Sequence, residues 1–135
     1  MASDQMLLAD LIRLTPTAIK VYIRVMDMWK IQTQDRWRLL GGTPPFNLER
    51  YIGWNPETDV ALTEDQILRI SALMKVARAL RTLTSAEHEA HWIKSPNKSQ
   101  LTRGKSMLQY MIDGGLPAII DVYKYLMGQM QCHYL

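Results

Sequence analysis

The apolar residues of this chain recur at three- and four-residue steps, the spacing of helices with one buried face. Over 16–30, PTAIKVYIRVMDMWK, that face is Ile19, Tyr22, Ile23 and Met26, with Thr15 as N-cap and Pro16 in the first turn. The polar segment QTQD leads into RWRLL, which Gly41-Gly42 closes as a helix C-terminus. A further short helix, PFNLERYIGW, starts on Pro44-Pro45, and residues 55–59 form a polar turn. The clearest helix covers 63–82. Thr63 caps it, Glu64 and Asp65 fill its first turn, and Ile67, Ile70, Leu73, Met74, Ala77 and Leu80 follow in period. Ser85 begins a short helix, SAEHEAHWI, which Ser95-Pro96-Asn97 breaks. A polar loop over 98–104 ends at Gly104, and two more helices, 105–113 and 116–130, flank Gly114-Gly115. No segment alternates β-branched and polar residues, so the expected fold is all-α. It divides into a helix-turn-helix-like unit over 1–62 packed on a second helical unit over 63–135.

Composition narrows the class. At 135 residues and 47% hydrophobic the chain can bury one core, and disorder is excluded. No run approaches the ~20 apolar residues of a membrane helix, and Asp4 and Asp10 interrupt the region where a signal peptide would be apolar. One cysteine, Cys132, forms no internal disulfide, and nine methionines suit a reducing compartment, so a cytoplasmic protein is expected. The net charge of +3 is unevenly placed: residues 1–62 balance seven cations against seven anions, and 63–135 supply the whole excess. Within it, 94–105 holds Lys94, Lys98, Arg103 and Lys105 and no acid, a surface suited to an acidic partner.

Three constellations could carry function. Residues 29–54 have the layout of a helix-turn-helix, in which Thr43, Asn47 and Arg50 would reach base edges and Arg36 and Arg38 would meet phosphates. His88 and His91, with Cys132-His133, are of the right types for zinc but lack the tight ligand pairs of a structural site. There is no nucleophile elbow, no phosphate-cradling glycine loop and no paired acids, so neither enzyme activity, cofactor nor metal is expected. Thirdly, Tyr110, Tyr123 and Tyr125 crowd the last thirty residues with Met107, Met111, Met127 and Met130. Tyr123 and Tyr125 cannot share a helix face, because two residues turn a helix by about 200°. One of them is expected to point outward, toward a protein partner.

Across 62–126 the order of landmarks resembles the Xre/MbcA/ParS antitoxin family. The resembling stretches are LTEDQILRISALMKVARALRTL, HWIKSPN and GKSMLQYMIDGGLPAIIDVYKYL. The family's Trp-x-x-x-Pro-Asn turn matches Trp92, Pro96 and Asn97, and its Gly-x-Ser-Pro-Leu helix start matches Gly104 to Leu108, with Met107 in place of Pro. Its glycine pair matches Gly114-Gly115, and its closing Tyr-Leu matches Tyr125-Leu126. Upstream, 29–41 is similar to the family's helix-turn-helix, although TPPFNLERY departs from the Ser/Arg-rich sequence found there. The first fifteen residues have no counterpart. The resemblance implies an antitoxin of a type II toxin-antitoxin system, partnered by a co-encoded toxin of the RES-domain class, a relative of ADP-ribosyltransferases that consumes NAD. The antitoxin would occlude the toxin's active site with its toxin-binding domain over 63–135. Lys94, Lys98, Arg103, Lys105, Tyr123 and Tyr125 are the candidate contacts, and Tyr134 and Leu135 join them by position in the tail. Operator DNA would be a second partner and a homodimer the expected unit within the toxin complex. The alternative is a helix-turn-helix transcriptional regulator with no toxin partner.

Overall fold

A computed structural model describes residues 8–42 and 61–134 of the chain, and for Leu8 and 131–134 the backbone alone. The described residues form five helices: α1 (Leu8–Met28), α2 (Thr33–Leu39), α3 (Glu64–Leu83), α4 (Ala86–Lys94) and α5 (Met107–Tyr134). The all-α expectation is met. The second helix of the expected helix-turn-helix and the turn after it, 44–59, lie outside the described residues.

Helix α1 begins earlier than expected. Pro16 lies inside it, and Thr15 is a buried bridge where an N-cap was expected. The Thr15 hydroxyl donates to the Leu11 carbonyl at 2.6 Å and accepts from the Leu62 amide at 3.0 Å. It therefore ties α1 to the chain entering α3, and satisfies a backbone N–H that burial would otherwise orphan. Helix α1 ends in a Schellman arrangement: Ile31 N–H donates to the Met26 carbonyl and Lys30 N–H to that of Asp27. Lys30 takes the left-handed position at φ 54°, where glycine is usual. Helix α2 ends the same way, with Gly42 N–H on Trp37 and Gly41 N–H on Arg38. There the left-handed residue is Gly41, at φ 80°.

The sequence marked α3 most clearly. Thr63 accepts from the Gln66 amide at 3.1 Å, and the Gln66 side chain accepts from the Thr63 amide at 3.0 Å, a complete capping box. Ile67, Ile70, Leu73, Val76 and Leu80 are buried together with Ala72, Ala77 and Ala79, so α3 is covered on more than one side. Its small residues let α1 and α5 approach. One core joins Ile19, Tyr22, Trp29, Leu39 and Leu40 from the first half to Leu73, Met107, Met111, Ile119 and Leu126 from the second. The two units read from the sequence thus share a single apolar interior. Three methionines, Met26, Met107 and Met111, lie fully inside it. Glu89 is also enclosed, its Oε2 accepting from Arg81 Nε at 2.8 Å.

Helix α5 is two helices end to end, as Gly114-Gly115 suggested: Gly115, at φ 68° and ψ −150°, interrupts it. The guanidinium of Arg69 fills the space beside that break. A Cβ on Gly115 would come within 3.1 Å of it, and one on Gly41 within 2.9 Å. Arg69 also donates to Asp65 at 2.7 Å and to the Leu39 carbonyl at 3.3 Å. One arginine of α3 therefore bonds the end of α2 and lies against the break in α5, where a side chain on either left-handed glycine would crowd it.

Candidate partner-docking site

The 95–106 segment is a closed loop, more ordered than its polar composition suggested. Pro96 pairs with Ser106 as an isolated antiparallel bridge, and Asn97 N–H donates to the Lys105 carbonyl at 3.1 Å. The Asn97 side chain accepts from Ser99 N–H at 2.7 Å. The Asn97 carbonyl accepts from the hydroxyl of Thr102 at 3.1 Å, and Thr102 is 2% exposed. With both ends clamped and Thr102 anchoring the middle, the tip turns through two successive left-handed residues, Arg103 at φ 52° and Gly104 at φ 93°. A left-handed arginine is strained, and the surrounding bonds hold it.

The four cations of this segment separate into two kinds. Lys94 donates to the Lys30 carbonyl at 3.2 Å, and Lys105 pairs with Asp113 at 2.7 Å. The bond from Lys105, then that from Gln109 at 2.8 Å, holds the Asp113 carboxyl below its ordinary pKa. Lys98 and Arg103 are exposed, and no described carboxylate pairs with either. Of the four cations in this run, Lys105 is thus neutralised by Asp113 and Lys94 is tied to a backbone carbonyl, which leaves Lys98 and Arg103 as the displayed pair among the described residues.

Beside the loop lies a groove of about 490 Å³ between α4 and α5, lined by Trp92, Tyr125, His91, Asn97 and Gln129 among others. The rings of Trp92 and Tyr125 stack with centroids 6.5 Å apart and planes 21° from parallel. Tyr123 turns to the opposite side, where Lys75 Nζ sits 5.9 Å from its ring centre. The two tyrosines do part, but neither projects freely: each is half-buried in its own groove. Tyr110, the third of the group, donates to Asp121 at 2.9 Å, and desolvation first and that bond second raise its pKa. Along the groove's end the helix leaves Met127, Gly128 and Gln129 exposed. Tyr134 lies on the last turn of α5, its side chain and all of Leu135 being outside the described residues.

The DNA-facing candidates are placed only in part, since Thr43, Asn47 and Arg50 lie outside the described residues. Arg36 is committed to its own chain: it pairs with Asp27 at 2.9 Å and donates to the Ile31 carbonyl at 2.8 Å. Its backbone carbonyl accepts from the buried Tyr22 hydroxyl at 2.6 Å, and burial raises that phenol's pKa far above the ordinary value despite Arg36 and Arg69 nearby. Arg38 is exposed, 3.6 Å from Asp35. His88 and His91 are exposed and engage Ser85 and Ser95, and no described group of three His, Cys, Asp or Glu could hold a metal.

Sequence reading passed over two contributors. Arg69 looked like one more cation on a helix, and Thr102 like one more loop hydroxyl. For Arg69 the decisive partner, the Leu39 carbonyl, lies thirty residues away, and for Thr102 it is a backbone carbonyl five residues back, which no side-chain pattern announces. Among the described residues no helix is long and apolar enough to cross a membrane. No protein family, curated protein or solved structure matches this chain.

Proposed function

We propose that this protein is an antitoxin that neutralises a co-encoded RES-type toxin by docking the α4–loop–α5 surface over the toxin's active-site entrance. The observation that carries the reading is the clamped loop: its Pro96–Asn97 end lines the Trp92–Tyr125 groove, and it displays Lys98 and Arg103, which no described carboxylate pairs. A rigid cationic tip beside an aromatic cleft suits the mouth of a site that accepts an anionic dinucleotide. The charges would steer encounter, and the groove would receive an apolar anchor from the partner. Preorganisation matters, because ordering a floppy loop on binding would subtract from affinity. The landmarks that carry the family resemblance coincide with this surface: Trp92 stacks in the groove, and Pro96 and Asn97 clamp the loop.

The test is co-expression with the toxin from the adjacent reading frame. Protection of growth and co-purification of the pair are expected, and Lys98→Glu combined with Arg103→Glu should abolish protection while the variant remains folded. Removal of Met130–Leu135 should leave the chain folded but weaken protection, and undiminished protection would overturn a role for the tail. Full protection by the double variant would overturn the docking surface. Salt-sensitive retention of promoter DNA by a chain that protects against no toxin would favour the regulator reading instead.

A further inference from the structure

On the side of the molecule away from the Trp92–Tyr125 groove, α3 presents a stripe that no described element covers. Glu64, Leu68, Ser71 and Lys75 follow at steps of four, three and four, and fall within about 60° of one another around the helix. Leu68 is 38% exposed, unusual for a leucine at the middle of a central helix. Shallow apolar hollows flank it. One of about 330 Å³ lies toward α1, against Leu14, Ala18 and Val21. The other, about 390 Å³, lies toward α5, against Leu116 and Ile120. Ile120 is also 38% exposed, so the patch runs continuously across three helices.

The stripe carries opposite charges at its two ends and uncharged residues between them. Its centre lies between Leu68 and Ser71, and Glu64 and Lys75 stand equally far on either side. Neither forms an ion pair with another described residue, although Lys75 is already held against the Tyr123 ring. We infer that this face is the seat of a second copy of the chain, packed with its α3 antiparallel across a two-fold axis. That arrangement sets Glu64 of each copy against Lys75 of the other and Leu68 against the small Ser71, leaving room for the leucine between the hollows. A parallel arrangement would stack Glu64 on Glu64 and Lys75 on Lys75, so charge selects the antiparallel one. A separate acidic protein would satisfy Lys75 but leave Glu64 facing a like charge.

The inference stands independently of the antitoxin reading, and its test needs no toxin. Sedimentation or light scattering of the full chain should give twice the 15.6 kDa chain mass, dissociating on dilution. Lys75→Glu and Glu64→Lys should each weaken association at least about tenfold, because each turns two attractions per dimer into repulsions. The double variant, with both charges exchanged, should regain the dimer. Ser71→Arg, at an exposed position that leaves the helix cap intact, should also give monomers, with circular dichroism showing the native helix content. A wild-type chain that stays monomeric would overturn the inference. So would single charge variants that dimerise normally, or a double variant that remains monomeric while folded.

Discussion

Two sets of basic residues in this molecule have been put to opposite uses. Arg36 and Arg69 lie inward, with 21% and 16% of their side chains exposed, and bind carbonyls and carboxylates of their own chain. Lys98 and Arg103 stand outward on a clamped loop with no described carboxylate paired to them. In sequence the four look alike. The planar guanidinium of Arg69 can hold two groups in one plane, so it serves as a joint between helices. No described group answers the charge of the outward pair, and a rigidly held charge of that kind is what a partner can use. The inner set is therefore expected to govern stability and the outer set binding.

The largest effect should come from the joint. Gly41→Val places a branched side chain at φ 80° and against the Arg69 guanidinium, and should cost about 3 kcal/mol in chemical denaturation. Arg36→Ala is expected to cost about 2 kcal/mol, because the Ile31 carbonyl loses its charged donor and Asp27 its ion-pair partner. Thr63→Ala, which removes the capping box and touches neither set, should cost about 1 kcal/mol and calibrates the scale. Lys98→Glu with Arg103→Glu should change stability by no more than about 0.5 kcal/mol while abolishing toxin neutralisation. A loss of stability comparable to that of Arg36→Ala would erase the distinction between the two sets.

The smallest effect concerns Lys105, which lies between the sets. Its bond to Asp113 favours the ionised carboxylate, so Lys105→Met should raise the Asp113 pKa toward the ordinary value in an NMR titration. The depressed folded-state pKa means that this carboxylate stabilises the fold at pH above the ordinary aspartate range. The contribution is lost as pH falls through the depressed value. Replacing Lys105 should shrink that acid-side loss without affecting stability near neutrality beyond a surface ion pair's share.

The helices were legible because each carries its own instructions. The apolar period of 63–82, the Thr63–Gln66 box, the Ser85 start and the glycine pairs at 41–42 and 114–115 are all local, and all reappear as helix bodies, caps and breaks. The exception is the start of α1. Thr15-Pro16 has the local signature of a helix beginning, yet the helix runs through it: the Thr15 hydroxyl turns back to the Leu11 carbonyl in the same helix and accepts from the distant Leu62 N–H. The candidate site was legible in its residue types but not in its arrangement. The cations at 94–105 were visible, but not that Lys94 would cap Lys30 and Lys105 would meet Asp113. The separation of Tyr123 from Tyr125 followed from helix geometry alone, whereas the stacking of Tyr125 on Trp92 did not.

What the sequence determined by itself is therefore the set of helices, their ends and the excess of positive charge in the second half, since these depend on neighbours within a turn or two. The packing of five helices decided which arginine would be a joint and which a displayed charge. It also decided which tyrosine would stack, and that Leu68 would be left uncovered on a charge-complementary stripe. Those outcomes depend on groups tens of residues apart meeting at distances of a few ångströms, where hydrogen bonding and desolvation act and sequence separation has no bearing.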